Sequence, residues 1–235
     1  MNYFTFKRPY DEDGRKILEI NILPEKYCTF NCIYCPVSRR EPHHQTESPV
    51  SFGQVEDSLA ELGHRIDEAA PDLVFINSKG EALFNDRLPD VIRFIHSRGL
   101  PVRLLSNGWL YGTPAFAEMA AQCDELIGEL KSGSDAAAAK AQRPVPGYSV
   151  EKHIQNMAQF RSSCKGRFIL EISVIRKYSD DDTALELYRR AVRRIRPDVL
   201  KVITMEDEPF AGTLGVSAET LAKFSAALHA ELQNS

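Results

Sequence analysis

The chain has 235 residues, 43% hydrophobic and 26% charged, with a net charge of −4. That is the composition of a folded globular protein, and no apolar run approaches the roughly 18 residues that span a bilayer. Membrane insertion is excluded, and the acidic balance lacks the basic footprint of nucleic-acid binding. The opening MNYFTFKRPYDEDGRK puts acids where a secretory signal needs an apolar core. With an odd number of cysteines, five, this leads us to expect a cytoplasmic protein with reduced thiols.

In chain order, the first predicted strand covers Ile17–Leu23 and runs into EKYCTFNCIYCPVSRR, residues 25–40. The stretch CPVSRREPHHQTESPVS that follows has no periodicity and reads as a functional loop or lid. A helix over Phe52–Ala69 leads to a strand at Leu73–Ser78, and a helix over Leu88–Ser97 stops at Gly99-Leu100-Pro101. A strand at Val102–Ser106, a helix at Pro114–Gln122 and a strand at Glu125–Lys131 come next. The remaining elements are helix Ser149–Arg161, strand Phe168–Ile175, helix Thr183–Ile195, strand Val199–Met205 and helix Ala218–Leu232. Strands alternating with crossover-length helices predict an α/β fold. We expect a partial (β/α)6 TIM-like barrel with parallel strands and helices outside, forming a single domain over 1–235.

Residues of one strand parity are polar: Glu19, Asn21, Glu129, Lys131, Glu171, Ser173 and Lys201. The opposite parity, including Leu18, Ile20, Leu170 and Ile172, is apolar enough to lie under helices. Unpaired buried charges cost several kcal/mol each, so a charged lumen implies a cavity for a polar ligand. Glu19, Glu171 and Lys201 are candidate substrate contacts, with Glu171 and Lys201 as the candidate catalytic pair.

The spacing Cys28-x3-Cys32-x2-Cys35 follows the first strand. Three thiolates on one loop suit zinc or iron–sulfur iron and leave one metal position open. A closed zinc site would take its fourth ligand from His43 or His44. Cys123 and Cys164 stand alone and read as small buried hydrophobes.

CTFNCIYC resembles the cluster-binding motif of the radical S-adenosylmethionine (SAM) superfamily, in which an aromatic residue, here Tyr34, precedes the last cysteine. NSKGEALF is similar to that family's Gly-Gly-Glu-Pro motif for the SAM amino group, matching at Gly80 and Glu81 and departing at Lys79 and Ala82. LLSNG resembles the ribose-contacting segment, implicating Ser106 and Asn107, and QRPVPGYS resembles a common stretch before the fourth helix, without assigned chemistry. GELKSGSD resembles the Asp-Leu-Lys segment of glycyl-radical activating enzymes, with Lys131 matching near the SAM carboxylate and Glu129 replacing the aspartate. LEISVIRKYSDDD is similar to the strand and turn that close the SAM site, making Arg176 a candidate for the carboxylate.

The resemblance implies that Cys28, Cys32 and Cys35 hold a [4Fe–4S] cluster whose fourth iron is chelated by SAM. One electron then cleaves SAM to methionine and a 5′-deoxyadenosyl radical, which removes hydrogen from a polar small-molecule or peptide substrate. An electron donor such as flavodoxin or ferredoxin is the implied partner. No second cysteine cluster towards the C-terminus suggests an auxiliary cluster. Two alternatives remain: an activase placing a glycyl radical on a partner protein, and a zinc-stabilised Cys3His binding module. The flanks LPEKYCTFNCIYCP and SKGEALF also resemble wyosine-type base-modifying enzymes, although the acidic balance argues against a tRNA substrate.

Overall fold

The structure, a computed structural model, describes residues 2–35, 37 and 42–234. Of the loop or lid expected over 35–51, residues 36 and 38–41 therefore lie outside the described residues. In chain order the strands are β1 (Thr5–Phe6), β2 (Tyr10–Glu12), β3 (Arg15–Asn21), β4 (Lys26–Cys28), β5 (His43–Gln45), β6 (Leu73–Ile76), β7 (Val102–Ser106), β8 (Glu125–Leu130), β9 (Arg167–Val174) and β10 (Val199–Thr204). The helices are α1 (Glu56–Ala69), α2 (Leu88–Ser97), α3 (Pro114–Ala120), α4 (Asp135–Ala141), α5 (Val150–Ser163), α6 (Asp182–Ile195), α7 (Ala211–Leu214) and α8 (Ala218–Gln233).

Six strands, β3, β6, β7, β8, β9 and β10, pair in that order and all parallel. They are the six read from the sequence. Their helices start where side chains can accept the first orphan N–H groups: Ser149 accepts from Lys152 N, Asp181 from Ala184 N and Ser217 from Thr220 N. The fold is the expected α/β architecture with a mostly parallel sheet. The outer edge of β3 is taken by antiparallel partners, Thr5 opposite Asn21 on β1 and Tyr10 opposite Ile17 on β2. Among the described residues no ladder joins β10 to β3, so the sheet curves without closing and leaves a lumen open at the strand C-termini.

One strand parity packs under the helices: Leu18 and Ile20 of β3 with Ile22 just beyond it, Leu126 and Leu130 of β8, and Leu170, Ile172 and Val174 of β9 share the large core. The other parity faces the lumen and is layered. Towards the strand starts, Ile17, Leu73, Phe75, Ile127 and Ile169 form a second apolar cluster that plugs the base. Nearer the C-terminal ends the same parity becomes polar at Glu19, Asn77, Glu129 and Glu171.

Beneath the plug lies a charge network. Arg103, 3% exposed, donates from Nε to Glu125 Oε2 at 2.6 Å and also pairs with Glu12. Arg15 Nη1 reaches Glu125 Oε1 at 2.8 Å, and the Arg103 guanidinium lies 5.4 Å from the Phe75 ring centroid. Burial alone would raise the pKa of Glu12 and Glu125, but Arg103 with Lys201 on the first, and Arg15 with Arg103 on the second, hold both below the usual carboxylate range. A depressed folded pKa stabilises above the unfolded value and is lost as pH falls through the folded one. Arg103→Met should therefore cost about 3 kcal/mol at neutral pH and flatten the acid limb of the stability–pH curve below about pH 4.5. Urea unfolding at several pH values measures both, and a wild-type acid limb would contradict the assignment.

Candidate functional site

The cysteine motif begins on the last residue of β4, which lies beside β5 with Lys26 opposite His43 and Cys28 opposite Gln45. The turn is tight: Cys35 N donates to Cys32 O at 3.2 Å. Its backbone is fixed from a distant part of the chain. Asn31 N donates to Gln142 O at 2.9 Å, Ile33 N to Ala141 O at 2.8 Å, and Val145 N to Thr29 O at 3.0 Å. The segment QRPVPGYS thus has a structural task that its sequence did not reveal: docking the thiol loop. Cys28 Sγ also accepts from Phe30 N at 3.5 Å and from Asn107 Nδ2 at 3.8 Å.

The three cysteines line one wall of a cavity of about 730 Å³ at the C-terminal ends of the strands, where ligands bind in folds of this architecture. Gly80, Asn107, Tyr34, Glu129, Lys131 and Glu171 line the same space, as do Glu19, Asn21 and Ser173. Lys131 Nζ pairs with Glu129 Oε1 at 2.6 Å and stands 6.0 Å from the Tyr34 ring centroid. Burial works against the Lys131 ammonium, but Glu129, Cys32 and Glu171 outweigh it and raise its pKa. Burial and the Glu129 carboxylate push Glu171 up, against the pull of Lys131 and Lys201. Glu171 and Glu129 sit opposite each other in the ladder.

Four expected site residues are placed elsewhere. Glu81 is 1% exposed and does not line the cavity; its Oε2 accepts from Ser106 Oγ at 3.0 Å and Asn107 N at 2.9 Å, and its Oε1 from Leu83 N at 3.3 Å. Burial pushes this carboxyl up to about 7 despite those donors. Ser106 is accordingly behind the wall with it. Arg176 Nη1 turns to the Gly212 carbonyl at 3.3 Å. Lys201 is drawn to the base by Glu12 Oε1 at 2.9 Å, because β2 supplies a carboxylate there that strand parity could not foresee. Glycine at 80 serves chain packing as well as the cavity wall: an added Cβ would meet Tyr27 O at 2.2 Å.

Sequence reading missed His153 and Lys26. His153 is fully buried, bonds Asn107 O through Nε2 at 2.9 Å and Tyr148 OH through Nδ1 at 3.1 Å, and is lowered to about 4 by burial. It steadies the Asn107 turn from α5. A buried histidine carries no sequence signature apart from its place on the inner face of that helix.

The donor set discriminates between metal groups. Among the described residues no three His, Cys, Asp or Glu side chains converge as a single ion requires. Neither His43 nor His44 lines the cavity. His44 Nε2 bonds Glu25 Oε2 at 2.7 Å while its ring stacks on Tyr27 at 4.6 Å. The alternative Cys3His zinc site is therefore not assembled among the described residues. A cubane cluster takes each thiolate on a different iron, so it asks only that the thiols face one space, as these do. Burial first, then the neighbouring Cys32, raises Cys28 to about 12. Burial raises Cys32 to about 11, with Lys131 pulling down and Cys35 pushing up. Loading a cluster must release these protons. Cys123 and Cys164 are buried in the core, as expected.

Comparison with known proteins places this geometry. The family model described as the radical SAM superfamily matches residues 22–191. A curated protein of Brachyspira hyodysenteriae named GTPase Obg is 23% identical over 189 residues, covering 80% of this chain and 28% of that protein. A UPF0026 protein of Helicobacter pylori is 24% identical over 199 residues, covering 81% of this chain and 62% of its own length. The chain thus spans less than two thirds of either relative. Among solved structures, one of TYW1 with a lysine–pyruvate adduct bound superposes with a TM-score of 0.66 at 17% identity, covering 91% of this chain and 73% of that one. At that identity the likeness is one of fold.

Replacing Glu81 with Gln puts an amide N–H against backbone donors in a buried position and should cost about 1–3 kcal/mol. Thermal unfolding of Glu81→Gln checks this, and a wild-type melting temperature would show that the carboxylate is not the tie between the loops.

Proposed function

The chain belongs to the radical SAM superfamily, whose enzymes use a [4Fe–4S] cluster and SAM, and we propose that this chain binds both in the cavity described and acts on a polar small molecule or peptide held beside them. When bound, the cluster supplies the electron that cleaves SAM to methionine and a hydrogen-abstracting 5′-deoxyadenosyl radical. The observation that carries the reading is the sharing of one polar cavity by Cys28, Cys32 and Cys35 with Gly80, Asn107, Glu129 and Lys131.

The chain's own residues would bind and orient. The three thiols hold the cluster on a loop whose backbone is pinned to residues 141–145. Gly80 and Asn107 offer polar groups at the wall, and the Glu129–Lys131 pair offers a carboxylate and an ammonium already desolvated and fixed against each other. Such preorganised charges recognise an amino-acid-like group with little reorganisation. Glu171, which burial and Glu129 drive towards its protonated form, is a further lumen carboxyl and, with Glu19, the proposed contact to substrate. The reductant is proposed to be a small electron carrier of the flavodoxin or ferredoxin kind. The base plug of Ile17, Phe75, Ile127 and Ile169 closes the lumen to water from below.

Anaerobic reconstitution should give a brown protein with about four irons per chain that releases 5′-deoxyadenosine from SAM under reducing conditions, and Cys32→Ala should lose both properties. A colourless protein with one zinc, or a loaded cluster inert towards SAM, would contradict the reading.

A further inference from the structure

Lys26 begins β4, two residues before Cys28, so both side chains fall on the same face of that strand. It is 1% exposed, among the largest fully buried side chains, and lines the cavity with the three cysteines. Its Nζ has no hydrogen-bond partner among the described residues. A lysine ammonium removed from water without an acceptor costs several kcal/mol. The buried Glu81 carboxylate is engaged instead by Leu83, Ser106 and Asn107. Among the described residues, this cation on the strand face it shares with Cys28 has no anionic partner.

We propose that the Lys26 ammonium is the fixed counter-charge of an anionic iron–sulfur cluster on Cys28, Cys32 and Cys35, and that it raises the cluster's reduction potential. The proposal rests on the functional reading above. Three thiolates on a doubly positive core leave one net negative charge, and reduction by one electron adds another. A cation in a low-dielectric wall stabilises the more negative state more strongly. Lys26 is thus a positioning residue, acting on the electron acceptor and not on the substrate.

The test is an anaerobic titration with dithionite and mediator dyes, followed by electron paramagnetic resonance, on reconstituted wild type, Lys26→Met and Lys26→Arg without SAM. Removing the charge should lower the equilibrium constant for reduction about tenfold, a shift of about 59 mV to more negative potential for one electron. Lys26→Arg should titrate close to wild type. A Lys26→Met potential equal to wild type, with weaker binding of SAM, would overturn the proposal and assign the ammonium to a ligand carboxylate. Should Lys26→Met load too little iron to titrate, Lys26→Gln replaces it. Folded Met and Gln variants that both fail to load while Arg loads would support the charge requirement, and failure of folded Lys26→Arg alongside them would refute it. Wild type that loads no iron defeats this inference together with the functional reading, and iron content separates that case from a loaded cluster of unchanged potential.

Discussion

Loops from three separate strands have to be held in one register if thiols and ligand-binding groups are to share a cavity, and a single buried residue does most of the holding. The backbone N–H of Glu81 bonds Tyr27 O on β4 at 2.7 Å. Its carboxylate bonds Ser106 and Asn107 at the end of β7, and Asn107 passes the link on to Thr29 Oγ1 at 3.1 Å and to the Cys28 sulfur. A buried carboxyl is tolerated here because Leu83, Ser106 and Asn107 donate to it, and the same desolvation makes its loss costly. Gly80 precedes it because no side chain fits against Tyr27.

That clamp explains how a sheet that does not close can still present a rigid mouth. β1 and β2 occupy the edge of β3 that a closed barrel would give to β10. Opening the sheet gives the lumen its volume, and it also exposes the lumen floor to water. The apolar plug and the Arg103 network beneath it answer that problem. The polar residues above the plug can then be desolvated in pairs, as Glu129 and Lys131 are. The proposed radical chemistry would require such a floor, since solvent would quench a reactive intermediate.

Much of this was legible in the chain. Val102–Ser106 and Leu88–Ser97 fall on their predicted bounds because apolar runs there end at Gly-Leu-Pro or Ser-Asn-Gly. Cys28, Cys32 and Cys35, singled out by their spacing together with the segments that resemble the family's motifs, do line one cavity. The rest was hidden for identifiable reasons. β1, β2, β4 and β5 have two or three residues each, too few for alternation to register. α4 is a seven-residue helix, DAAAAKA, with no amphipathic pattern. Strand parity put Glu171 and Lys201 side by side, but a lysine's long side chain goes where the nearest carboxylate is, and Glu12 came from an unforeseen strand. The motif residues Glu81 and Ser106, read as ligand contacts, are buried and bonded to each other behind the cavity wall, an arrangement that only burial and partners reveal.

We propose that the three thiols carry a cluster with one iron left for SAM. Electron–nuclear double resonance on the reduced, reconstituted protein, with SAM isotope-labelled at its amino nitrogen, reports on that iron. Chelation by SAM should give a hyperfine coupling from that nitrogen to the cluster. A spectrum without the coupling, or one showing a fourth ligand from the polypeptide, would contradict it.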